Sequence, residues 1–118
     1  MSQSILNGVK KKLNIDYDEV SFDEDELIDL INTGFASLNQ IGVNPDVIYS
    51  IDSDANEWRE FSTDPMVIMF AKTYMFLYVK QIFDISTVSA KVIDAYERKL
   101  RELEWRLNLH SDVLKKEE

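Results

Sequence analysis

The sequence has no cysteine, one histidine, three glycines and two prolines in 118 residues. Each scarcity removes a class of protein. Without cysteine there is neither a disulfide framework nor a thiolate metal site, which fits a reducing compartment. Neither a glycine-rich phosphate loop nor a G-x-S-x-G nucleophile elbow is present. The single histidine, His110, has no nucleophilic serine or cysteine suggested beside it. It would make a metal site only if several carboxylates converged on it, so a surface histidine is the simpler expectation. Cations are also outnumbered, 13 Lys and Arg against 22 Asp and Glu, for a net charge of −9. Proteins that grip nucleic acid present a basic face, because neutralising phosphates and releasing counterions supplies most of their affinity. An acidic chain can instead lie beside DNA without adhering to it. No pair of carboxylates is singled out for general acid–base work, so no catalytic residue, cofactor or metal is expected.

Long hydrophobic runs are missing as well. The most apolar segment, MVIMFAKTYMFLYVKQIF, is interrupted by Lys72, Lys80 and Gln81. Uncharged runs such as Thr73 to Val79 fall far short of the ~20 residues that cross a bilayer, so a buried helix is expected and no membrane contact. The stretch MSQSILNGVKKKLN lacks the apolar run and small residues of a secretory signal. A chain of this length buries enough surface for one core, hence a single domain over residues 1–118.

What the sequence does contain is helical periodicity. It predicts an all-α fold, a compact bundle of about four main helices with an irregular connection between the second and third that has room for a short extra helix. The first helix runs from about Ser4 to Leu13, with Ile5, Leu6, Val9 and Leu13 inward and Lys10, Lys11 and Lys12 largely opposite, as solvated surface near the negative end of the helix dipole. Asn14 to Phe22 reads as a loop. The second helix opens at FDEDELIDLINTGF with Asp23 as cap, Phe22 as staple and Leu27, Ile28, Ile31, Phe35 and Leu38 as its stripe, and stops at Gly42. Between Gly42 and Asp64, VIYSID allows a short extended piece and SDANEWREFS a brief helix capped by Asp54, with Trp58 and Phe61 inward. Asp64-Pro65 then starts a third helix, apolar on nearly every side, that reaches about Phe83. The fourth begins at Ser86 or Thr87 and ends near Leu109, leaving residues 110–118 as a flexible tail.

Two acidic stretches fail as metal sites. IDSDANEWREFST starts like a calcium loop at Asp52, Asp54 and Asn56, but Glu57 stands where the loop needs glycine and Thr63 where it needs a bidentate acid. DYDEVSFDEDE lacks the spacing and reads as loop and helix amino terminus.

The last helix poses the sharpest question. Ile93, Tyr96, Leu100, Leu103 and Leu107 recur in a 3-4 rhythm on one side. Trp105 and Leu109 point roughly 150° away from that row and, being i and i+4, form one patch flanked by Arg98, Arg101 and Glu102. Either the first helix or the tail folds over the patch, or it anchors another chain, since tryptophan and arginine are enriched at interface hot spots.

The succession ILNGVKKKLNI, DEDELIDLINTGFASLNQIGV, DPMVIMFAKTYMFLYVKQIFDIST and YERKLRELEWRLN resembles the head–tail connector (adaptor, or head-completion) proteins of long-tailed bacteriophages. The likeness spans nearly the whole chain, in order. Its most telling pieces are LNQIGV, K-T-Y-x-x-L-x-V-K and ELEWRLN. The resemblance implies a structural protein forming a ring of about a dozen copies beneath the portal vertex. Such a ring extends the DNA channel and gives the tail or a stopper protein its docking surface, in the virion and, during assembly, in the host cytoplasm. DNA would pass through without specific binding. The family's portal contact falls on Trp105, Arg106, Leu109 and the segment to Glu118, beside Arg98 and Arg101; Val43 to Thr63 is the candidate tail-side surface. The alternative from the residues alone is a cytoplasmic helical module that binds or regulates a partner.

Overall fold

A computed structural model describes residues 4–13, 24–43, 48–84 and 89–117, with the side chains of 83–84 and 111–117 left aside. The described residues form five helices and no strand: α1 (Ile5–Lys12), α2 (Glu24–Gln40), α3 (Trp58–Phe61), α4 (Pro65–Asp84) and α5 (Ala90–Glu117). The fold is all-α, as the periodicity predicts.

The organising element is α4, which touches each of the other helices. This explains most of its apolar sequence, although Met66, Met69 and Ile82 stay exposed. Val67, Ala71, Tyr74, Met75 and Val79 are buried, while Ile68, Phe70, Leu77 and Tyr78 pack at the margin of the same core. Asp64 starts the helix as expected, its Oδ1 accepting from the Met66 amide at 2.9 Å and, more weakly, from Val67 at 3.4 Å.

Helix α2 lays Leu27, Ile31, Phe35 and Leu38 against α4. The two approach closely at Gly34, where an added methyl would lie 2.6 Å from the Met75 sulfur. At its end Gly42 has φ 99°, the Gly42 amide donates to Asn39 and the Val43 amide to Leu38. These are the two bonds of a Schellman cap, and buried Val43 supplies its apolar contact. Expectations for Asn14 to Asp23, including the Asp23 cap and Phe22 staple, fall outside the described residues.

Helix α1 packs on α4 of the same chain. Ser4 caps it through the Asn7 amide at 3.2 Å, and the Ile5 amide bonds the Asn56 carbonyl at 3.0 Å. One reading of its surface is corrected. Lys10 is not solvated: it is buried and ion-paired with Glu24, across from the start of α2. A periodicity of 3.6 places Lys10 beside the buried row rather than opposite it, and its long stem can run along apolar surface to reach a carboxylate.

The irregular connection contains no extended strand in its described part. Instead Ile51 is held by the Asn32 side-chain amide, which accepts from its N–H at 2.7 Å and donates to its carbonyl at 2.9 Å. Asn56 Oδ1 accepts from the Asp52 and Ser53 amides at 2.9 and 3.3 Å, closing the turn that resembles a calcium loop in sequence. The brief helix exists, but its cap is Glu57 and not Asp54. Glu57's own amide donates to the Glu60 carboxylate at 3.2 Å, which only the residue immediately before the helix can do. Trp58 and Phe61 are buried as expected, and Phe35 sits 4.9 Å from Phe61, 5.0 Å from Tyr49 and 5.8 Å from Trp58, ring to ring. Burial, with the Glu60 carboxylate 3.1 Å away, pushes the Tyr49 hydroxyl up to about 12.

Helix α5 runs antiparallel to α4, with Glu97, Glu104 and His110 meeting Gln81, Tyr74 and Asp64 in turn. The first described turn is capped by Ser89, and the alternatives Ser86 and Thr87 lie outside the described residues. At the other end the helix continues past the expected stop at Leu109 to Glu117. No glycine or proline after Leu109 ends it.

Candidate functional site

Two opposite faces of α5 meet different surroundings. Leu103 and Leu107 are 2 % and 0 % exposed and Leu100 is buried with them, facing α4. Trp105 is 62 % exposed and Leu109 49 %. Neither α1 nor any other described element covers the indole, so the first of the two sequence alternatives does not hold for the described residues. Lone apolar residues are common on surfaces; what distinguishes this pair is that one residue is the largest side chain and the other lies one turn on, on the same line.

The charges around the pair are arranged in two tiers. Glu102 gathers Arg106 at 3.1 Å and Lys99 at 3.5 Å, and the hydrogen bond from Arg106, followed by the charge of Lys99, holds its carboxyl below the ordinary glutamate value. Arg106 is thereby tied along the flank of the helix. Arg101 reaches Glu97 only at 3.7 Å and is three-quarters exposed, while Arg98 is exposed and shows no ion pair among the described residues. The face therefore offers an indole and an isobutyl group with guanidinium groups one and two turns before them. Such a surface suits a partner that brings apolar side chains rimmed by carboxylates. All five expected residues, Arg98, Arg101, Trp105, Arg106 and Leu109, lie on α5, with Arg106 to one side of the line formed by the others.

The helix is held in place from beneath. The buried Tyr74 hydroxyl donates to Glu104 Oε2 at 2.9 Å, and burial with that carboxylate beside it pushes the phenol well above its ordinary range. Gln81 Nε2 donates to Glu97 at 3.3 Å, and Asn108 Nδ2 donates to the Ile41 carbonyl at the end of α2. His110 is not a free surface histidine. Its Nε2 lies 2.8 Å from Asp64 Oδ2, so the carboxylate that caps α4 also anchors α5. The hydrogen bond to His110 is the main reason the Asp64 carboxyl lies below the ordinary aspartate value. These four contacts fix the rotation of α5 about its axis and hence the outward aim of Trp105. Sequence reading did not find them. The only signal in the sequence is that Glu97, Glu104, Asn108 and His110 fall on the sides of the helix next to the leucine row.

Among the described residues no group of acids and histidine could hold a metal ion, and no helix is long and apolar enough to cross a membrane. No curated protein and no solved structure gives a significant match to the chain. The family model of the phage connector proteins matches residues 5–113, which takes in all the described helices up to the closing turns of α5. This all-α chain, with a last helix apolar on two opposite sides, belongs to the phage connector protein family.

Proposed function

We propose that the chain is a head–tail connector that assembles as a ring between portal and tail, extends the DNA channel, and docks the portal through the outward face of α5. One observation carries this reading: on a single helix the leucine row is sealed against α4 while Trp105 and Leu109 stay in water. A free-standing protein gains nothing from that arrangement, whereas a subunit of an assembly uses the second face for its neighbour. Charge supports the same role. About a dozen copies would carry on the order of −100 charges, which discourages phosphate adhesion and lets DNA slide, within the ~8–10 Å that salt leaves unscreened. Identical subunits joined by unlike surfaces close naturally into rings. The work is scaffolding and docking, with portal and a stopper or tail-completion protein as partners, in the virion and earlier in the host cytoplasm.

The test is reconstitution with the portal of the same phage, followed by size-exclusion chromatography and electron microscopy. A defined ring complex that forms with the wild type and is weakened by Trp105→Ala supports the proposal. Persistent absence of binding by the folded protein, or one-to-one binding without a ring, contradicts it.

A further inference from the structure

We infer that the portal segment covering the outward face of α5 is itself an α-helix, which sets a carboxylate on Arg98 and, one heptad away, an apolar side chain on Trp105. The inference rests on the portal-docking reading and names what the portal brings to that face. Arg98 and Trp105 are seven residues apart. They therefore point within about 20° of each other and lie ~10 Å apart along the helix. The full line, Arg98, Arg101, Trp105 and Leu109, advances by steps of three, four and four, close to the repeat of a helix–helix seam.

Two observations select the occupant. The first is the state of Arg98. It is exposed and has an acid four residues to either side, Asp94 and Glu102, at the spacing that makes helix salt bridges. Among the described residues it pairs with neither. Glu102 is taken by Arg106 at 3.1 Å and Lys99 at 3.5 Å, whereas Arg101 has Glu97 at 3.7 Å. Arg98 thus holds out an unanswered charge in line with the exposed indole, and its planar fork of donors matches one carboxylate. With a net charge of −9 the chain has no general attraction for acidic surfaces, so binding depends on this cation meeting its partner in register. The second observation is the backbone. From Arg98 to Leu109 the amides and carbonyls of α5 are engaged in its own helix. An extended segment laid here would find no ladder to join and would press unpaired peptide groups against the indole. A helix satisfies its own backbone and brings only side chains, whose ridges can pass either side of Trp105.

The probe is the portal of the same phage, titrated with the full chain. Arg98→Glu should weaken binding ~10-fold or more and leave the circular dichroism unchanged, because Arg98 holds no ion pair among the described residues. A charge-reversal scan of the exposed acids of the portal should then find one whose change to lysine restores binding to Arg98→Glu and weakens it for the wild type. That acid should lie on a helix, seven residues from an apolar side chain whose truncation has little further effect once Trp105 is alanine. Undiminished binding of Arg98→Glu overturns the inference and leaves portal docking standing. So does failure of every acid to restore binding, or restoration by an acid on a strand or loop. Self-association of the chain without portal that is lost in Arg98→Glu assigns the face to a second copy and overturns it too. If the wild type does not bind portal at all, the docking reading fails, and the inference with it.

Discussion

Replacing Trp105 with alanine should separate docking from folding. A tryptophan side chain presents roughly 250 Å². With 62 % of the residue exposed, about 150 Å² remains for a partner to cover. At ~25 cal/mol per Å², covering half to all of that area is worth about 2–4 kcal/mol, or a loss of ~30-fold or more in affinity on truncation. The isolated chain loses far less. The covered third rests largely on its own helix, part of that contact survives in the unfolded chain, and alanine is the better helix former by ~0.5 kcal/mol. A stability loss within about 1.5 kcal/mol is expected. Leu103→Ala, on the sealed face of the same helix, should cost ~2–5 kcal/mol. Urea unfolding followed by Trp58 fluorescence gives the stability of the variant, and calorimetric titration against portal gives its affinity. If Trp105→Ala destabilises the isolated chain as much as Leu103→Ala does, or docks with wild-type affinity, the two-faced account of α5 is wrong.

Three further outcomes follow from the helix caps and from the contacts that hold α5. The Asp64 carboxyl is lowered in the folded state, so its stabilisation is present above the ordinary aspartate pKa and is lost as pH falls through the folded value. Asp64→Ala should cost about 1–2 kcal/mol at neutral pH, and its stability should converge on that of the wild type in acid titrations of unfolding. Gly42→Ala puts a side chain at φ 99° and should lower the denaturation midpoint by the equivalent of ~1–2 kcal/mol, with the Schellman bonds of α2 strained. Tyr74→Phe removes the donor to Glu104 from the core and should cost about 1–2 kcal/mol, measured by thermal unfolding with m-values or enthalpies unchanged.

The parts of this fold that sequence discloses are those governed by one chain segment at a time. Leu100, Leu103 and Leu107 declare a buried side because a helix repeats every 3.6 residues, and Trp105 is out of phase with them by the same geometry. Asp64-Pro65 and Gly42 announce a start and a stop because caps are local. What escapes is whatever depends on two segments meeting. Lys10 reads as solvated until Glu24 is seen beside it. His110 reads as free surface until Asp64 arrives from the start of α4. Asn32 carries no mark of the bond pair it makes with Ile51, and that pair, with the Phe35 aromatic cluster, is what lets an irregular segment stand without a strand. The displaced cap of α3 has a different cause: Asp54 and Glu57 both carry carboxylates, and only the reciprocal bond from Glu60 decides between them. Helix α5 runs past the expected Leu109 to Glu117 because polar composition alone does not stop a helix.

The most direct test of the central claim is the solvent access of the Trp105 indole before and after portal is added. In a Trp58→Phe variant it is the only tryptophan, and acrylamide quenching with emission wavelength reports its surroundings. Free protein should emit to the red and be quenched freely; on the portal the emission should move to the blue and the quenching fall several-fold. An indole shielded already in the free chain, or one equally open in the docked complex, would contradict the account.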